Sequence, residues 1–189
     1  MVRPMLPLAI LAAALLATPA AAETRAQAAR QAQLDHLFTA LRAAPDEATA
    51  GMIESRIRRL WAEQPSPAAA LLMARGDREL HGDAEGDAIA DFDAVLDLEP
   101  DYAEGYTHRA VARAAAGDVA GAVRDIQAAL AHDPRNFAAL QALSHIAEQQ
   151  GNWQGALDAW QKALDIDPRM PGGADRLQML IGKVEGEAT

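Results

Sequence analysis

Pro100, Pro134 and Pro168 stand 34 residues apart, and each closes a segment with the same internal layout. Aligned on these prolines, the segments are 69–100, 103–134 and 137–168, and large and small residues recur at fixed places. The recurring sites are Leu72/Tyr106/Leu140, Gly76/Ala110/Ser144, Ala88/Ala122/Ala156, Phe92/Ile126/Trp160 and Val95/Ala129/Ala163. A unit of this length with two helical patterns cannot bury its own apolar face, so it must stack on the next one. The fold class that follows is an all-α solenoid of helical hairpins.

The second segment carries Tyr106, Ala110, Gly117-Asp118, Ala122, Ile126, Ala129 and Asp133-Pro134. The third carries Leu140, Leu143, Ala147, Gly151-Asn152-Trp153, Ala156, Trp160, Ala163 and Asp167-Pro168. On these residues the chain resembles the tetratricopeptide repeat family, closely over 69–185 and more loosely over 24–64. Within that family it resembles small exported proteins of Gram-negative bacteria. The resemblance implies a right-handed α-solenoid whose first helices build a concave, partner-binding face.

Residues 1–22 read as a secretory signal: Arg3, an apolar run from Met5 to Ala17, then Ala20-Ala21-Ala22 before Glu23. The run is short for a bilayer span, which needs about 20 apolar residues. Cleavage near Ala22 and a periplasmic chain without stable membrane insertion are therefore expected. Loss of Arg3 would take the net charge from −10 to −11, an acidity that argues against a nucleic-acid backbone as partner. With no cysteine there is no disulfide framework, thiolate metal site, cysteine nucleophile or lipidated cysteine.

Residues 23–64 form an N-terminal helical hairpin. Leu34, Leu37, Phe38 and Leu41 make one helical stripe; Met52, Ile53, Ile57, Leu60 and Trp61 make the other. Arg56, Arg58 and Arg59 lie mostly off the second stripe. The hairpin lacks the small-residue sites, so it reads as a divergent repeat or a cap, followed by a stiff connector at 65–68. The three repeats occupy 69–102, 103–136 and 137–168. Residues 169–189 supply a C-terminal capping helix and tail, with Leu177, Leu180, Ile181 and Val184 as its apolar stripe. Nine helices and no strands are expected.

In the first repeat Gly82-Asp83 comes one residue earlier than Gly117-Asp118 does in the second. One residue is thereby expected to move from the first helix into the turn. Arg75 and Arg109 look misplaced on a buried stripe, but each precedes an aspartate by sixteen residues, Asp91 and Asp125, on the facing helix. In the third repeat both partners turn apolar together, as Leu143 and Ala159. Ion pairs within each repeat are expected.

No nucleophile elbow, zincin motif, phosphate-binding loop or dinucleotide fingerprint occurs, so a non-enzymatic role without a cofactor is expected. Carried over by position, the concave face comprises Met73, Asp77 and His81; Glu104, Thr107, His108 and Val111; and Gln141, His145, Glu148 and Gln149. None of these is Lys, Arg or Asn, the residue types with which family members grip a chaperone's C-terminal carboxylate. The expected function is protein–protein interaction: a scaffold or adaptor holding an apolar, partly basic segment within an envelope complex. The alternative is metal or small-ligand binding through His81, His108 and His145, and a third possibility is self-association.

Overall fold

The computed structural model describes residues 19–187, and the signal-peptide pattern lies outside them up to residue 18. The described residues form nine helices and no strand: α1 (Pro19–Arg42), α2 (Glu47–Ala62), α3 (Pro67–His81), α4 (Glu85–Leu98), α5 (Ala103–Ala115), α6 (Val119–His132), α7 (Phe137–Gln149), α8 (Trp153–Ile166) and α9 (Gly173–Glu187). None of the described helices is long and apolar enough to cross a membrane.

Helix starts are fixed by side chains that satisfy otherwise orphaned amides. Asp46, Ser66, Asp118, Asn136 and Asn152 each accept a hydrogen bond from the amide three residues on. The helices end in strict phase: His81, Ala115 and Gln149 close the first helix of each repeat, and Leu98, His132 and Ile166 close the second. The solenoid of hairpins expected from the proline period is what forms.

Packing explains the alternation of small and large residues. Ala88, Ala122, Ala129, Ala156 and Ala163 are all completely buried, as are Phe92 and Ile126, while Trp160 is 5% exposed. Gly76 shows why size matters, because a Cβ there would sit 2.7 Å from Cε1 of Phe92. Each large ring or branched chain fills the space that its small neighbours leave open. Burial of one such side chain contributes about 1.5–3 kcal/mol. Trp160 also donates its indole N–H to the Gly173 carbonyl at 3.0 Å, tying the cap α9 to α8.

The first turn differs from the sequence expectation, since no residue moves out of α3. The left-handed position stays in phase and is filled by Asp83 (φ 56°), where the later repeats place Gly117 (φ 86°) and Gly151 (φ 69°). The Gly-Asp pair has shifted in sequence while the backbone has not. Asp83 therefore takes a conformation that glycine adopts without steric cost. Ala84 falls on the capping position and makes no side-chain cap, where Asp118 and Asn152 do.

The expected ion pairs form. Arg75 grips both carboxylate oxygens of Asp91. Arg109 grips Asp125 with Nε to Oδ2 at 2.9 Å and Nη2 to Oδ1 at 2.7 Å.

The hairpin α1–α2 does not share its core with α3 and α4. Leu34, Phe38, Leu41, Ile57, Leu60 and Trp61 join one cluster with Phe137, Leu140, Leu157, Trp160, Met170 and Leu180 of the third repeat and the cap. Phe38, Trp61 and Phe137 form an aromatic triangle with centroids 5.1–6.5 Å apart. Without small sites, the hairpin's bulky stripe cannot nest against a neighbouring hairpin at backbone distance; it folds back and meets equally bulky residues. Met52, on that stripe in sequence, remains 68% exposed.

Candidate binding groove

The first helices of the repeats, α3 and α5, meet the returning α2 around a cavity of about 420 Å3. Ala62 and Pro65 come from the hairpin side, Ala70, Met73 and Ala74 from α3, and Tyr102 from the turn before α5. These make the apolar walls. Asp77, Glu104, His108 and Arg58 supply the polar groups.

The polar groups are wired together. Asp77 Oδ1 lies 2.6 Å from His108 Nδ1, and Glu104 Oε2 lies 3.8 Å from His108 Nε2. Glu104 Oε1 accepts a hydrogen bond from the Asn136 amide at 2.8 Å. Burial alone would depress the His108 imidazole, but the Asp77 hydrogen bond and the charges of Asp77 and Glu104 raise it above its ordinary value. Burial likewise raises the Glu104 carboxyl, against the pull of His108, Asn136 and Arg58. Burial, with Glu104 and Asp77 adding to it, also pushes the Tyr102 phenol up, and that phenol donates to the Trp61 carbonyl at 3.3 Å.

Of the residues assigned to the concave face from sequence, Met73, Asp77, Glu104 and His108 line this cavity. Val111 is 40% exposed one turn beyond His108 on α5. His81 is exposed, with its Nδ1 2.5 Å from the Asp77 carbonyl. Thr107 departs from the expectation: it is 5% exposed, donates to the Ala103 carbonyl at 3.0 Å and accepts from Asn136 at 3.3 Å. It belongs to the interior because Asn136, starting the next repeat, packs over it.

On α7, Gln141 turns toward the hairpin, accepting from Arg58 at 3.2 Å and lying 3.0 Å from the Met170 sulfur. Glu148 accepts from Arg176 of α9 at 2.8 Å, and Arg176 Nη2 lies 3.4 Å from His145 Nδ1. Burial and the Arg176 charge depress the His145 imidazole. Gln149 is exposed at the end of α7. His81 and His108 thus both meet Asp77, through its carbonyl and its carboxylate, while His145 lies beside Arg176. Among the described residues no group of three or more His, Cys, Asp or Glu side chains could hold a metal ion.

Three contributors escape the sequence reading: Arg58, Tyr102 and Arg176. Arg58 is off the apolar stripe of α2, yet its guanidinium lies 4.7 Å from the Phe137 ring and 3.4 Å from Glu54. Tyr102 sits in a turn, and its aromatic character was the available signal. Arg176 lies 4.8 Å over Trp160. Arg58 is held by Glu54, Gln141 and the Phe137 ring and Arg176 by Glu148, while Asp77 and Glu104 share the cavity lining with Arg58 and His108.

A family model, tetratricopeptide repeat, matches residues 137–170. A TPR repeat-containing protein of Rhizobium etli is 31% identical over 167 residues, covering 88% of this chain and 82% of the relative. Among solved structures, the Sgt2 TPR domain from Aspergillus fumigatus superposes with a TM-score of 0.61 at 22% identity, covering 66% of this chain and 83% of that one. The TPR2B domain of yeast Sti1, in complex with pHsp70, gives 0.57 at 21% identity, over 65% of this chain and 99% of that one. The first TPR of Spaghetti (RPAP3), bound to the HSP90 peptide SRMEEVD, gives 0.58 at 18% identity, over 64% and 95%.

Proposed function

The chain belongs to the tetratricopeptide repeat family, and from that premise we propose that it is a non-enzymatic interaction module that holds a peptide or protein segment in its concave groove. The observation that carries this reading is the cavity between α2, α3 and α5, with apolar walls and the carboxylates of Asp77 and Glu104 at its polar end. An apolar segment bearing Lys or Arg fits that lining by burial and by sign of charge. Structural neighbours in complex with pHsp70 and with the acidic HSP90 peptide SRMEEVD support peptide binding by this fold, while the preference for a basic segment rests on the lining of this groove. The signal-like residues 1–22 support a periplasmic site of action, within an envelope complex.

Titration of the protein with peptides of matched length and different charge tests the groove. Apolar peptides carrying Lys or Arg should bind, and Asp77→Asn with Glu104→Gln should weaken them. Equal binding of acidic peptides, or no effect of the two variants, would count against the proposal. N-terminal sequencing of the exported chain, with Glu23 first, tests the site of action; an intact Met1 in the cytoplasmic fraction contradicts it.

A further inference from the structure

The hairpin's hold on the third repeat includes two buried carboxyl groups. Glu54 of α2 is 9% exposed, and Asp167, between α8 and α9, is completely buried. Glu54 Oε1 and Asp167 Oδ2 are both out of solvent and find no donor, and Glu54 is the carboxyl whose charge acts on Asp167. Their other oxygens are engaged. Glu54 Oε2 faces Arg58 Nη2 at 3.4 Å, and Asp167 Oδ1 accepts the Arg169 amide at 3.2 Å.

Two ionised carboxylates in such a place repel each other and leave two acceptors without a donor. A single proton shared by the two side chains turns one acceptor into a donor for the other. We propose that Glu54 and Asp167 form a proton-dependent latch: their shared proton holds the α1–α2 hairpin against the third repeat, and its loss loosens the hairpin.

The surroundings leave the pair dependent on that proton. Arg58 is the cation facing it from α2, but its side chain is 43% exposed and also engages Gln141 of α7. Arg169 presents its backbone amide. The other charged groups bridging the hairpin and the repeats bind elsewhere: Arg42 to the Asp165 carbonyl, Glu47 to the Gly172 amide, and Arg135 to Asp35. Burial, followed by the hydrogen bond and charge of Glu54, pushes the Asp167 carboxyl up to about 7.

The sign of the pH dependence follows. The closed hairpin binds a proton that the open one releases between the ordinary Asp pKa of about 4 and the raised value. Closure is therefore tightest in acid, weakens as pH rises toward about 7, and levels off above. Opening uncovers Phe137, Leu140 and Met170, which the hairpin buries.

Hydrogen exchange of the full chain from pH 5 to pH 8, with α2 amides compared to α5 amides, reads the latch. In the wild type, α2 opening should rise by as much as about tenfold per pH unit up to pH 7 and then plateau. Glu54→Gln supplies a permanent donor and should make α2 as protected at pH 8 as at pH 5. Asp167→Asn is the second variant with the same expected flattening, and protection of α5 shows that each variant is folded. Wild-type α2 exchange that follows α5 at every pH overturns the latch. So does a folded Glu54→Gln variant that keeps the wild-type slope.

Discussion

Arg109 and Asp125 face each other across α5 and α6 as a two-pronged pair, with both N–O distances under 3 Å and side-chain exposures of 14% and 4%. Arg113 adds a third contact to Asp125 at 2.9 Å, and Asp93 accepts from Arg109 at 2.6 Å. In this cluster the buried charges are tolerated because each meets an opposite one.

Removing one member should leave the other charge buried and under-compensated. Arg109→Leu should therefore cost about 3 kcal/mol, near the low end for buried pairs because Arg113 still reaches Asp125. Adding Asp125→Ala should recover much of that loss. Thermal melts of the two single variants and the double variant check the coupling. Arg75→Leu should cost less, since the Arg75 side chain is 56% exposed.

The turn of the first repeat should be improvable. Asp83→Gly removes a side chain from a left-handed position, and Ala84→Asp restores the cap that Asp118 and Asn152 provide in the later repeats. Together they should raise stability by about 1–2 kcal/mol in denaturant unfolding. The opposite change, Gly117→Ala at φ 86°, should lower it by about 1 kcal/mol.

Gly76→Ala should destabilise by about 1–3 kcal/mol, because the added methyl meets the Phe92 ring at 2.7 Å. Gly86→Ala is the control, as a Cβ there meets nothing within 4 Å. With Gly86 inside α4, that change should be neutral or stabilising in the same melt.

Two histidines on successive first helices should titrate on opposite sides of the ordinary value near 6.5. His108 is raised through Asp77 and Glu104 in spite of its burial, whereas His145 is lowered by burial and Arg176. The raised His108 contributes stability that is complete below the unfolded pKa and lost as pH rises through the folded one. Asp77→Asn should thus lower the His108 pKa in an NMR titration, and its stability cost should shrink toward alkaline pH. An unchanged His108 midpoint in that variant contradicts the wiring of the groove.

Much of this architecture was legible because a 34-residue period leaves little choice. A small residue at Ala122 or Ala156 is informative only beside a large one at Ile126 or Trp160, and repetition makes the pairing visible. Charge compensation was readable for the same reason, since Leu143 and Ala159 lose their charges together. The first turn misled because residue types moved while the backbone kept its phase at Asp83.

The path of the hairpin was not legible. An apolar stripe at Phe38, Ile57 and Trp61 says that a face is buried, not that Phe137 and Met170 bury it. Arg58 looked solvated for want of knowing that α7 lies beside it. Thr107 looked open because its neighbours Glu104 and His108 share its side of α5; the Asn136 side chain that covers it comes from the next repeat. Such contacts depend on tertiary packing that no local spacing encodes.

Groove recognition is tested most directly by photocrosslinking in cells, with the reactive residue at Val111, 40% exposed on α5, and a control at Gln161, exposed on α8. The account predicts a partner captured from Val111, absent from Gln161, and lost when Asp77→Asn and Glu104→Gln are introduced. Capture with equal yield from both positions, or none from Val111 in a folded and abundant protein, would contradict it.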